Sequence, residues 1–68
     1  KLYRIESLIP SLILKLKNKS PDIRKASVLS LMQLNINEAK NPLKELLKIE
    51  QDSSVRTTIK LALKRINN

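Results

Sequence analysis

Apolar residues along this chain recur at spacings of three and four, and nothing alternates with period two. The pattern therefore predicts helices and no strands. In the first stretch, about Ile5 to Asn18, Ile5, Leu8, Leu12 and Leu16 make one stripe, widened by Ile9 and Ile13. Pro10 lies inside it; beyond the first turn a proline removes a hydrogen bond and bends a helix. Lys15, Lys17 and Lys19 gather at the C-terminal end, where cations suit the helix dipole. The second stretch, Ser20 to Leu34, is apolar on almost every side, so it is expected to be covered all round by the other segments. Ser20 is a ready N-cap, Pro21 suits the first helical position, and Asp22 suits the positive end of the dipole. The run Asn35-Ile36-Asn37 should end this helix. The third helix begins at Asn37 or at Asn41: Asn41-Pro42 is a good cap and first residue, whereas Asn37 gives a longer helix bent at Pro42. Its stripe is Ala39, Leu43, Leu46 and Leu47. The fourth follows the capping cluster Asp52-Ser53-Ser54 and turns Val55, Ile59, Ala62, Leu63 and Ile66 to one side, with Asn67 and Asn68 expected to fray.

The four stretches are one pair written twice. Shifted by 32 residues, the second lands on the fourth: Ile23 on Val55, Arg24 on Arg56, Leu29 on Leu61, Leu31 on Leu63 and Leu34 on Ile66. The first and third align at 31, with Leu8 on Ala39, Leu12 on Leu43, Leu16 on Leu47 and Lys17 on Lys48; the extra residue is expected around Glu50-Gln51. The expected organisation is a single domain over residues 1–68, with one helical hairpin at about 5–34 and another at about 38–66.

At these residues the chain resembles the HEAT repeat family, especially the short HEAT-like repeats of phycobilisome lyases. That pattern opens on Ile-Pro-x-Leu-Ile, here Ile9-Pro10-Ser11-Leu12-Ile13. A short loop then ends in an aspartate before an Ala/Leu-rich helix, here Asp22-Ile23-Arg24. The second copy reads Pro42-Leu43-Lys44-Glu45-Leu46-Leu47 and then Asp52-Ser53-Ser54-Val55-Arg56. The chain lacks the glycine common after the second helix and has Thr57-Thr58 where alanine is usual. The resemblance implies an all-α fold of two stacked hairpins, a short right-handed solenoid. Arg24 and Arg56 occupy the repeat's arginine position; the favoured reading is structural, each pairing with a loop carboxylate or carbonyl across neighbouring units, the other is contact with a ligand, and Asp52 and Arg56 also form an i,i+4 pair.

Comparing the copies face by face separates them. Ile9, Ile13, Val28 and Met32 of the first become Lys40, Lys44, Lys60 and Lys64 of the second. In a stacked array each unit shows one face to its successor, and the last carries a polar outer face. The first four should therefore face the second unit, and the lysines should have nothing beyond them. Leu2, Tyr3 and Ile5 leave the opposite end apolar, so the chain is expected to be the tail of a longer array or to self-associate through its first unit. Its start at Lys1 is expected to be a trimmed one.

Charge narrows the partners. Fourteen Lys and Arg against six Asp and Glu give +8, which suits an acidic protein face, nucleic acid or a membrane surface. The candidate binding residues are the line Arg56, Lys60 and Lys64, with Arg65 beside it, and Lys40 and Lys44. The favoured reading of the Arg56, Lys60, Lys64 and Arg65 line is a solvated cap face, with a grip on phosphates as its alternative. Tyr3 is the one aromatic residue, too few for stacking successive bases. No apolar run approaches the ~20 residues of a membrane helix, and a cytoplasmic location is expected. Cysteine and histidine are absent, which removes thiolate ligands and the commonest general base. Ser27, Ser30, Thr57 and Thr58 accordingly look like small residues at helix contacts rather than nucleophiles. Asn18-Lys19-Ser20 matches a glycosylation sequon, but Pro21 follows directly and no secretory signal precedes it. No metal, cofactor or enzymatic activity is expected. The expected function is a protein–protein interaction module or scaffold. The alternatives are nucleic-acid backbone binding by the lysines, and part of a bilin lyase-like or phycobilisome-related factor.

Overall fold

Capping and proline placement define the elements that form. The computed structural model describes residues 5–66, and the side chains of residues 6–66. The expectations for Leu2, Tyr3, the Ile5 side chain, Asn67 and Asn68 lie outside that range. Helix α1 is Ile5–Lys15. The chain then tightens: the amides of Leu16, Lys17 and Asn18 donate to carbonyls three residues back, so the last predicted turn is not α-helical. Helix α2, Pro21–Gln33, starts as predicted, with Pro21 at its head and the Ser20 hydroxyl accepting from the Ile23 amide.

The end of α2 resolves the missing glycine. Asn35 adopts φ 54°, the left-handed region that glycine usually fills. Its amide donates to Met32 O and that of Ile36 donates to Leu31 O, the paired bonds of a Schellman C-cap. Ile36 is buried as the apolar half of that motif. A single 3₁₀ turn, Asn37–Ala39, then leads into α3, Lys40–Ile49. Both predicted starts are thus partly right: helical backbone begins at Asn37, and the α-helix begins one residue before Asn41. Pro42 sits in the first turn of α3, where its missing N–H costs nothing. Helix α4, Ser53–Arg65, is capped by the Asp52 carboxylate, which accepts from the Val55 amide at 3.0 Å.

The four helices form two antiparallel hairpins, α1–α2 and α3–α4, joined chiefly by α2 against α4. Val28 and Leu31 of α2 meet a core containing Leu43, Val55, Ile59, Ala62 and Ile66, all of them essentially inaccessible. At about 25 cal/mol per Å² of apolar surface, these side chains are the main stabilising force of so short a chain. Ile9, Ile13 and Met32 pack against the same core, half-buried. Their counterparts Lys44, Lys60 and Lys64 are exposed, and Lys40 is half-buried rather than fully outward. The face-by-face contrast read from the sequence is therefore present in the structure.

Three expectations are corrected. Helix α2 is covered on two sides, by α1 and α4, and not all round; Ile23 is 41% exposed and Leu34 40%. Four helices cannot surround one of their own number. Leu8 is exposed rather than part of the inward stripe, whereas its counterpart Ala39 is buried. Thr57 is exposed, not at a helix contact, and its hydroxyl donates to Ser53 O. Thr58 is buried and its hydroxyl donates to Ser54 O at 2.9 Å, so a hydroxyl is accommodated where alanine is usual.

Two pairs of outcomes follow for stability. Val28→Lys buries an uncompensated charge and should abolish cooperative thermal unfolding followed by circular dichroism. The reciprocal Lys60→Val should remain within about 0.5 kcal/mol of wild type. Asn35→Ala should cost about 1–2 kcal/mol by urea denaturation, the penalty of a left-handed non-glycine residue, while Asn35→Gly should avoid it.

Candidate functional site

The two interhelical loops are built on the same hydrogen bonds. In the first, Asn18 Oδ1 accepts from the amide of the N-cap Ser20 at 2.8 Å. In the second, Glu50 Oε2 accepts from the amide of the N-cap Asp52 at 3.1 Å. Arg24 Nη1 donates to Asn18 O at 2.8 Å, and Arg56 Nη1 donates to Glu50 O at 3.1 Å. Arg24 Nη1 also donates to Lys19 O, and Arg56 Nη1 to Leu47 O. Each arginine therefore ties down the loop before its own helix. The matched bonds pair Asn18 with Glu50, which moves the extra residue of the second unit from Glu50-Gln51 to Ile49.

Here the units part. Arg24 Nε and Nη2 donate to Glu50 Oε1 and Oε2, each at 2.7 Å, a bidentate pair across the two hairpins. The Glu50 side chain is 1% exposed and that of Arg24 18%. The hydrogen bond from Arg24 holds the Glu50 carboxyl below its ordinary range, and burial opposes this only in part. The same bond pushes the Arg24 guanidinium up. Lys25 Nζ adds a second bond between the units, to Ser54 Oγ at 2.8 Å.

The expected pairing across units is formed by Arg24, on the Glu50 carboxylate, and not by Arg56, which bonds the Leu47 and Glu50 carbonyls of its own unit. The expected Asp52–Arg56 pair is not formed; Asp52 is engaged as the cap of α4. The candidate basic residues split accordingly. Lys60, Lys64 and Arg65 are exposed on α4, and Arg56 is half-buried one turn before Lys60. Arg56, Lys60 and Lys64 lie on one line of the helix, with Arg65 off it by a residue. Lys40 and Lys44 form the corresponding line on α3.

Two apolar surfaces were not singled out from the residues. An open groove of about 500 Å³ runs between α1 and α3, walled by Ile13, Pro42, Leu46 and Ile49. Ile49, the inserted residue, is 74% exposed. A shallower groove of about 300 Å³ lies on the outer side of the first hairpin, between Leu12 and Ile23 and over Ala26, Ser27 and Ser30. The signal for the second was present in the alignment. Its lining corresponds to Leu43, Val55, Thr58, Ile59 and Ala62, all buried in the second unit. Among the described residues, no group of three His, Cys, Asp or Glu could hold a metal ion, and no helix is long and apolar enough to cross a membrane.

A protein-family model described as HEAT repeats matches residues 2–64. No match is found among curated proteins or among solved structures.

The Arg24–Glu50 pair has a definite acid dependence. Folding lowers the Glu50 pKa, so the ionised carboxylate contributes stability that is fully present above its ordinary value of 4.5. That contribution is lost as pH falls through the folded-state value. Glu50→Gln should cost about 1–3 kcal/mol at neutral pH, because Arg24 then lacks its carboxylate. Urea denaturation at stepped pH should show the gap between wild type and variant closing below the carboxylate range.

Proposed function

Because the chain belongs to the HEAT repeat family, we propose that it is a protein–protein interaction module that stacks through the outer face of its first hairpin and ends the stack with its second. One observation carries this reading. The positions lining the groove over Ala26, Ser27 and Ser30 are those that the first hairpin covers in the second. Val55 is 1% exposed beneath its neighbour, while its counterpart Ile23 is 41% exposed. Small residues at 26, 27 and 30 let another helix approach closely, with Ile23 and Leu12 as its apolar contacts. The occupant that fits is a further hairpin of the same design. At the other end, Lys44 and Lys60 stand where the first unit has Ile13 and Val28, and burying them beneath an apolar hairpin would be costly.

In a sample of this chain alone, the available hairpin is the first unit of a second copy, met face to face about a two-fold axis. Sedimentation velocity should show concentration-dependent dimers, and Ile23→Lys should return the chain to a monomer whose unfolding midpoint equals that of wild type at concentrations too dilute for dimers. A monomer at every attainable concentration would overturn this use of the face. The net charge of +8 and the lysine lines support a second reading, in which the same chain holds nucleic-acid backbones. Retention on a DNA column that falls steeply with salt is its signature.

A further inference from the structure

The two arginines are equivalent in sequence and share one loop bond, Arg24 to Asn18 O and Arg56 to Glu50 O, yet one is half used. Arg24 spends Nη1 on its own loop and presents Nε and Nη2 as a planar fork to Glu50 of the next unit. Arg56 spends Nη1 in the same way, on Glu50 O and Leu47 O. No described residue accepts from its Nε or Nη2. The fork that binds a carboxylate in the first hairpin is thus repeated in the second with no carboxylate before it. Along α4, Arg56 precedes Lys60 by one turn, about 6 Å of helical rise, and Lys64 by two, on the same line of the helix.

We propose that Arg56 is the anchor of an interaction site on the lysine-bearing face, and that its occupant is an acidic protein segment whose carboxylate takes the place that Glu50 holds on Arg24. Further acidic residues of that segment meet Lys60 and Lys44. Three observations select this occupant. The chain contains its own template, a bidentate arginine–carboxylate pair between α2 and the interhelical loop of the next hairpin, at 2.7 Å on both arms. A second copy stacked head to tail is excluded, because it would bring Asn18, the counterpart of Glu50, to the fork. Asn18 is uncharged and offers a single side-chain oxygen, so it cannot meet both arms of the fork, and the apolar face around Ile23 would lie on lysines. A single-stranded nucleic acid would supply phosphates for the fork, but the described residues include no aromatic side chain on which its bases could stack. The inference rests on the open end of the second hairpin and not on stacking by the first.

The Arg56 Nε–Hε resonance of the wild-type chain reads the site without any substitution. The chain is titrated with a helical peptide carrying glutamates at i, i+4 and i+8, and in parallel with a poly-dT oligonucleotide. With the peptide, the Arg56 resonance should move toward that of Arg24, while the Arg24 signal stays in place. Arg56→Lys preserves the net charge but loses the fork, and should weaken peptide binding about tenfold. Lys60→Gln leaves the loop bonds of Arg56 intact and should weaken binding less. Four results would overturn the proposal: an unmoved Arg56 resonance on peptide binding, equal affinity for Arg56→Lys, no peptide binding, or a larger Arg56 shift with the oligonucleotide. Sedimentation of Ile23→Lys reports on the first-hairpin face separately, so failure at one end is distinguishable from failure at the other.

Discussion

Everything in this fold depends on α2 finding α4. Two helices of a hairpin can bury only the stripe between them, and among the described residues the layer available to each hairpin is the other. Packing α2 on α4 buries Val28 and Leu31 on one side and Val55, Ile59 and Ala62 on the other, so two hairpins share one core. α1 and α3 lie outside that contact and each packs mainly on its own partner. The open groove between them, with Ile49 at its edge, results from this arrangement. The inner pair of helices supplies stability, and the outer pair supplies surface.

The polar links between the hairpins set register rather than bulk stability. A bidentate arginine–carboxylate pair tolerates little sliding, because both arms must meet both oxygens. Glu50 is also tied to the Asp52 amide, and Arg24 to Asn18 O and Lys19 O, so neither group is free to follow the other. The clasp therefore fixes the loop before α4 against the start of α2. The apolar core alone, made largely of interchangeable aliphatic side chains, would specify that position less sharply.

Much of this was legible in the residues. Pro21 and Pro42 marked helix starts, Ser20 and Asp52 their caps, and the spacing of Val55, Ile59, Ala62 and Ile66 the buried face of α4. The alternation of Val28 with Lys60 pointed to which face is inward. Less local features were not legible. Nothing in the spacing distinguishes Glu50 from other loop carboxylates until Arg24 is seen reaching across the hairpins. The left-handed Asn35 escaped because asparagine reaches that region without the glycine that signals it. Leu8 and Ile23 read as core because helical periodicity reports which face is apolar, and cannot report whether another layer lies against it.

The inequivalence of Asn18 and Glu50 gives the array a grammar. Tandem duplication of the second hairpin would supply a carboxylate for Arg56 but seal its lysines inside. Duplication of the first would keep the interior greasy while replacing a carboxylate with an amide at the new joint. Neither copy can be multiplied without loss, so the order of the hairpins along the chain is itself encoded.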